Sequence, residues 1–154
     1  MKRLAFMILV LLLASGCARQ SGLVDMESAA RAVQNEYGDT ALVRAEDDLV
    51  HANFGDPDYL EEAAVYYTPN DDGTEFGFFK LSAEKFVPQM EAVIQEYLRT
   101  EREAIESLAA LYPAEELSAR LARFDGAIVG RSGNIVYYCL ADSATAQRIS
   151  AAIK

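Results

Sequence analysis

The chain offers few side chains that could act as nucleophiles or bind a transition metal. Its 154 residues include two cysteines, Cys17 and Cys139, and a single histidine, His51. A zinc site of the Cys/His kind takes four such ligands, so one chain supplies too few. His51 lies in an acidic segment without an evident nucleophile, and no Gly-x-Ser-x-Gly motif, phosphate-binding glycine loop or dinucleotide fingerprint occurs. The sequence therefore predicts no catalytic residue, no metal ligand, no bound cofactor and no enzymatic activity.

Carboxylates are the remaining groups that could do chemistry, and their spacing favours a solvated surface. Asp47 and Asp48 are adjacent, as are Glu61 and Glu62, and adjacent side chains diverge on a helix or a strand. The segment NDDGTE at 70–75 carries several oxygens but lacks the 12-residue spacing of an EF-hand, and its residue types are typical of a turn. An enzyme that uses carboxylates alone is the alternative, and it requires two carboxyl groups facing each other across a pocket.

The amino terminus has the regions of a secretory signal. Lys2 and Arg3 form a positive start, and Leu4–Ala14 follows as 11 uncharged residues. As a helix this run would span about 16 Å, far less than the roughly 30 Å hydrocarbon core of a bilayer. The pattern predicts a cleaved signal peptide over residues 1–16 and not a transmembrane anchor.

The residues before Cys17 resemble the lipobox of bacterial lipoproteins, in which the peptidase cuts before a cysteine that carries a diacylglycerol thioether. Ser15 and Gly16 fit that pattern, whereas Ala14 stands where leucine is commonest. The resemblance implies that the mature chain begins at an acylated Cys17, whose lipid chains, palmitate among them, hold it in the cell membrane. The alternative is an ordinary secreted protein cut near Ala14–Gly16, which would leave Cys17 free.

Residues 17–24 are predicted to comprise the lipidated cysteine and a short tether. The seven residues after Cys17 reach at most about 25 Å, so the following domain would stay near the bilayer. Cys139 lies in the apolar run IVYYCLA, which predicts a buried and inert thiol. No disulfide is expected.

Negative charge is concentrated in the first half of the chain. Residues 25–75 carry 14 Asp and Glu against Arg31 and Arg44, a net charge of −12, whereas residues 76–154 have a net charge of −1. Such a surface repels phosphates and argues against nucleic acid as a partner. It suits an unknown basic protein, peptide or cation.

Apolar periodicity and turn residues predict a single α+β domain over residues 25–154. Strands are predicted in two β-hairpins, at 63–68 and 74–81 and again at 127–130 and 134–141. Helical spacing and end signals place helices at 25–38, within 45–55, from Ser82 to Leu108, from Pro113 to Gly126 and after Asp142. The simplest arrangement is a four-stranded antiparallel sheet from two β-hairpins, each followed by a helix, with additional N-terminal helices packed on it.

The predicted strands are apolar on both faces. Tyr66 alternates with Val65 and Tyr67, and Tyr137 is followed by Tyr138. A sheet with one solvated face alternates more cleanly between apolar and polar residues. Either the helices cover the second face, or that face is exposed and binds something. Coverage is favoured, because five helices are more than one sheet face of this size needs.

The order of several segments resembles a known family. FGDPDYLEEAAVYY, TEFGFFKL, a long helix, LYPAEE and GNIVYYCLAD follow one another within residues 25–154. They are similar to the bacterial lipoproteins of the domain of unknown function 4358 family. The matching positions are Phe54-Gly55, Glu75, Arg99, Tyr112-Pro113 and Gly133-Asn134. Family members occur mostly in Gram-positive anaerobes, so the resemblance implies the outer face of a single membrane, and it brings no catalytic residues.

These features predict a membrane-anchored extracytoplasmic lipoprotein that binds a partner or ligand of unknown specificity without catalysing a reaction. Two alternatives stay open. One is an enzyme that acts on envelope material through carboxylates, and the other is a structural envelope protein that self-associates through an apolar sheet face.

Overall fold

The computed structural model describes residues 26–37, 42–69, 72–111 and 113–153. The predicted signal peptide, Cys17 and the tether lie outside these residues. In chain order the elements are α1 (Met26–Tyr37), β1 (Val43–Arg44), α2 (Asp47–Phe54), β2 (Leu60–Tyr67), β3 (Glu75–Leu81), α3 (Val87–Ser107), α4 (Ala114–Asp125), β4 (Ile128–Ser132), β5 (Ile135–Leu140) and α5 (Ser143–Ile153). A short 3-10 helix at Glu84–Phe86 leads into α3.

The helix ends follow the signals in the sequence. Pro88 lies in the first turn of α3, where its missing N–H leaves no helical hydrogen bond unmade. Asp142 caps α5, because its Oδ1 accepts a hydrogen bond from the Thr145 N–H at 3.1 Å. The helix predicted after Asp142 is present, and its buried residues include Ala146, Ile149 and Ile153, which share one face at helical spacing.

The strands form one antiparallel sheet in the order β1-β2-β3-β5-β4. Both predicted hairpins are present, and the sheet is continuous because β3 pairs with β5. The prediction of four strands was wrong by one: β1 adds a fifth at the edge, where it pairs with Tyr66 and Tyr67. The Ala45 N–H continues this pairing by donating to the Val65 carbonyl at 2.8 Å. A strand of two residues is too short to show the alternation that identifies strands in a sequence.

Helices cover both faces of the sheet, so the domain has three layers. On one face, α1 and α5 pack over Phe76, Phe78 and Tyr137. On the other face, α2 and α3 pack over Phe79 and Tyr138, and α4 lies beside α3. The predicted coverage is confirmed, with one N-terminal helix on each face. Within the described residues, neither sheet face is left open for self-association.

The described helices include none that is both long enough and apolar enough to cross a bilayer.

Two glycines allow tyrosine rings to lie across the neighbouring strand. Gly77 on β3 is paired with Tyr138 on β5, and Gly130 on β4 is paired with Tyr137. A Cβ at either glycine would overlap the ring of the paired tyrosine. Both tyrosines are fully buried, so their rings have little room to move aside.

The substitution Gly77→Ala is expected to lower the free energy of unfolding by about 1–3 kcal/mol, because the added methyl group displaces the Tyr138 ring from a packed layer. Urea-induced unfolding followed by circular dichroism measures this change. Gly126→Ala is the matched control, since a Cβ there would meet the Ser143 Cβ at an ordinary 3.5 Å. An unchanged stability in Gly77→Ala would show that the Tyr138 ring can be displaced without loss of packing.

Candidate ligand-binding cleft

Glu75 is a partly buried carboxylate at the start of β3. The Tyr97 hydroxyl on α3 donates a hydrogen bond to Glu75 Oε1 at 2.8 Å, and the Tyr138 hydroxyl on β5 donates to the same oxygen. No described residue donates to Oε2. Every fully buried side-chain nitrogen or oxygen among the described residues has a hydrogen-bond partner, so Oε2 is not fully buried.

The two tyrosines that bind Glu75 are held in place by an aromatic cluster. Phe54, the last residue of α2, contacts Tyr97, Phe79 and Tyr138, with ring centroids 4.5, 4.7 and 5.9 Å apart. The rings are tilted against one another, which is a favourable arrangement for aromatic pairs. Three elements, α2, α3 and β5, therefore fix the position of one carboxylate oxygen.

The surroundings of Glu75 raise its pKa above the ordinary value of 4.5. Burial raises the pKa of Glu75, the hydrogen bonds from Tyr138 and Tyr97 partly oppose this effect, and the negative charge of Glu101 adds to the rise. Hydrogen bonds to a charged group contribute about 1.5–3 kcal/mol each, and removing water from a carboxylate costs several kcal/mol. These magnitudes are comparable, and burial is the largest of the effects on Glu75, so the net change in its pKa is upward. The pKa values of Tyr97 and Tyr138 are also raised, first by burial and then by the charge of Glu75.

Glu75 lines a cleft of about 380 Å³ between the β2–β3 hairpin, α3 and α4. Its apolar walls are formed by Leu49, Tyr67, Pro69, Ile105, Phe124 and Leu140. Two of these side chains are unusually exposed, Leu49 at 51% and Tyr67 at 36%. A concave apolar surface with a few polar groups at its base is typical of a binding site.

A second hollow adjoins this cleft along α3. It has a volume of about 520 Å³, lies between α2 and α3, and shares Tyr97 and Glu101 with the cleft. The two spaces are therefore neighbours along α3, with Tyr97 and Glu101 in the wall of each. Together they have room for more than a single side chain.

The hairpin turn beside the cleft is bound to α4. Asp72 accepts hydrogen bonds from the Thr68 hydroxyl at 2.7 Å and the Thr74 N–H at 2.8 Å, and it lies 3.6 Å from Arg123 on α4. Burial alone would raise the pKa of Asp72, but these contacts outweigh it and lower the pKa. The turn predicted at 70–75 is confirmed by its hydrogen bonds, although residues 70 and 71 lie outside the described part.

The other candidate residues from the sequence lie on the surface. His51 Nδ1 is 3.8 Å from an oxygen of Asp56, and the hollow beside it contains no serine, threonine or cysteine among the described residues. No three His, Cys, Asp or Glu side chains in the described part cluster closely enough to hold a metal ion. The predicted exposure of the adjacent carboxylates is confirmed for Asp47, Asp48, Glu61 and Glu62.

The fold brings together two of the positions that carry the family resemblance. Phe54 and Glu75 are joined through the tyrosines that both of them contact. Arg99 lies apart on the exposed side of α3, paired with Glu96 and Glu103. The side chain of Asn134 binds the Leu81 carbonyl and so fastens the β4–β5 turn to the end of β3, whereas Tyr112 lies outside the described residues.

Cys139 is a free thiol that is completely buried, as predicted. Burial raises its pKa to about 12, so the thiol stays protonated and unreactive.

The sequence did not point to Tyr97, Tyr138 or Glu101 as residues of a site. Tyr97 and Tyr138 fit the apolar patterns of a helix and a strand, and such patterns do not indicate what the tyrosine hydroxyls bind. One signal was present: Glu75 opens a strand that is apolar on both faces, with no basic residue beside it.

Comparison with known proteins gives no match to a family model, to a curated protein or to a solved structure. The resemblance to the domain of unknown function 4358 family therefore stays a prediction from the residues.

The pKa of Glu75 predicts a specific pH dependence of stability. Because the folded chain raises this pKa above the ordinary value of 4.5, it binds the proton more tightly than the unfolded chain. The contribution to the free energy of unfolding is present below pH 4.5 and is lost as pH rises through the raised pKa. Relative to Glu75→Gln, which keeps an accepting oxygen but does not ionise, the natural chain should lose stability over this range.

Urea unfolding at a series of pH values from about 4 to about 8 measures this difference. Glu62→Gln, at an exposed position outside the cleft, controls for the loss of one negative charge. A stability difference between the natural chain and Glu75→Gln that does not change with pH would contradict the assigned burial of this carboxylate.

Proposed function

We propose that this chain is a lipid-anchored, non-catalytic module on the outer face of the cell membrane that binds a partner in the cleft above Glu75. The observation that carries the proposal is the cleft itself. It combines exposed apolar side chains, Leu49 and Tyr67, with a carboxylate that has one oxygen, Oε2, without a hydrogen-bond donor among the described residues. A ligand that covers these apolar side chains removes their surface from water, and the carboxylate beside them offers a polar contact.

The negative charge of the cleft and of the first half of the chain favours a basic partner. The cleft contains Glu75 and Glu101, and it is built partly from residues 25–75, which carry a net charge of −12. A basic protein, peptide or cation is attracted to such a surface, and nucleic acid is repelled.

The proposed anchor is an acylated Cys17 that follows a signal peptide over residues 1–16. Two or three acyl chains on one residue hold a protein stably in a bilayer, whereas one chain does not.

The substitution Cys17→Ala is expected to abolish acyl labelling and to move the protein out of the membrane fraction, because no other residue would carry the lipid. Metabolic labelling with a palmitate analogue, followed by cell fractionation, measures both effects. Cys139→Ala removes the buried thiol and should leave labelling and fractionation unchanged. Membrane retention of unlabelled Cys17→Ala would overturn the proposed anchor.

Occupancy of the cleft can be tested in the cell with a photo-crosslinking residue at position 49. Leu49 lies in the cleft wall, so we expect a discrete crosslinked product there. Leu111 is a matched control, because it is 76% exposed and is not part of the cleft. Equal crosslinking at positions 49 and 111, or none at position 49, would contradict a partner in the cleft.

A second candidate function is an enzyme that acts on envelope material through carboxylates. One observation favours it: Glu75 and Glu101 line the same cleft, and the charge of Glu101 raises the pKa of Glu75. Carboxyl pairs whose pKa values are pushed apart serve as acid and base in glycoside hydrolysis. Binding is the better supported proposal, because Oε1 of Glu75 already accepts hydrogen bonds from two tyrosine hydroxyls, which leaves one oxygen for proton transfer.

A further inference from the structure

We infer that the cleft selects the ammonium group of a lysine side chain on a partner polypeptide and discriminates against arginine. This inference rests on the proposed function, since it names the chemistry of the partner that the cleft receives. Three features of the described residues lead to it: the one free oxygen of Glu75, the walls around that oxygen, and the balance of charge in the cleft.

The hydrogen bonding of Glu75 decides between the two basic side chains. A guanidinium pairs best with a carboxylate when it meets both oxygens in parallel. Oε1 already accepts hydrogen bonds from Tyr97 and Tyr138, so only Oε2 is left without a donor among the described residues. One oxygen is a poor match for the planar fork of arginine. It is a good match for the compact ammonium of lysine, which needs one charged acceptor at a time.

The walls of the cleft suit the rest of a lysine side chain. Leu49, Ile105 and Leu140 offer apolar contacts to its methylene stem, and the aromatic side chains of Tyr67 and Phe124 line the same cleft as Glu75. Tyr67 and Phe124 can attract a cation through their ring faces. The adjoining hollow between α2 and α3 gives space to the residues on either side of that lysine, which favours a polypeptide over a free amine.

The balance of charge in the cleft is negative. Glu75 and Glu101 contribute two carboxylates, and the basic side chain in the wall, Arg120, lies 3.4 Å from Glu116 on its own helix. Arg123 at the mouth is likewise paired with Asp72. The basic groups near the cleft are thus engaged with acidic partners, and the charge of Glu75 is left to attract a cation.

Binding of three labelled peptides to the full lipidated chain in lipid nanodiscs tests the inference. The peptides differ in one central residue, lysine, arginine or norleucine, within an otherwise uncharged sequence. At low salt, measured by fluorescence anisotropy, we expect the lysine peptide to bind about tenfold more tightly than the norleucine peptide and about fivefold more tightly than the arginine peptide.

Two pairs of variants locate the effect in the cleft. Glu75→Gln should remove the preference for lysine, whereas Glu61→Gln removes the same charge outside the cleft and should retain it. In case Glu75→Gln disturbs folding, Leu49→Lys places a positive charge at an exposed position in the cleft wall and should weaken the lysine peptide about tenfold. Leu111→Lys makes the same change elsewhere on the surface and should leave binding unchanged.

The possible outcomes test the ammonium site, its selectivity for lysine and the proposed function separately. Equal binding of the lysine and norleucine peptides would overturn the inferred ammonium site, and equal or tighter binding of the arginine peptide would overturn the selectivity. If position 49 crosslinks to a partner in the cell and none of the peptides binds, the inference fails while the proposed function stands. If neither crosslinking nor peptide binding occurs, both fail.

Discussion

The structure depends on one constraint: β3 and β5 are apolar on both faces and must be covered on both. Phe76 and Phe78 face one layer of helices, while Phe79 faces the other. Removing such side chains from water is the dominant favourable term in folding. If one face of the sheet were open, about half of the free energy gained by burying the sheet's apolar side chains would be lost. The division of helices between the two faces follows from this requirement.

The same constraint explains where a charged side chain can lie in the central strand pair. The two charged residues of β3 and β5, Glu75 and Lys80, lie near opposite ends of β3. Lys80 reaches Glu61 at 3.3 Å on the neighbouring strand. Glu75 has no basic partner among the described residues, and it is stabilised by hydrogen bonds from the hydroxyls of two core tyrosines. A partly buried carboxylate satisfied by neutral donors is not paired with a cation of the protein, so its ionised form can pair with a cationic ligand.

Much of the fold was predictable because the signals were local. Hairpins, helix ends and the inward face of α5 follow from turn residues, from Pro88 and Asp142, and from periodicity. The strand β1 was not predictable, because two residues pair only through the register of a distant strand. The cleft was not predictable either, since Glu75, Tyr97 and Tyr138 come from three elements and meet only through tertiary packing. A tyrosine within an apolar pattern is interpreted as a core residue, because the sequence does not show which group its hydroxyl binds.

The layering also gives the molecule two different sides. The chain leads back to the proposed anchor from α1, which covers one face of the sheet, and the cleft opens among α2, α3 and α4 on the opposite face. The sheet therefore lies between α1, which follows the proposed anchor in the chain, and the helices that line the cleft. The cleft and the helix that follows the proposed anchor in the chain thus lie on opposite faces of the sheet.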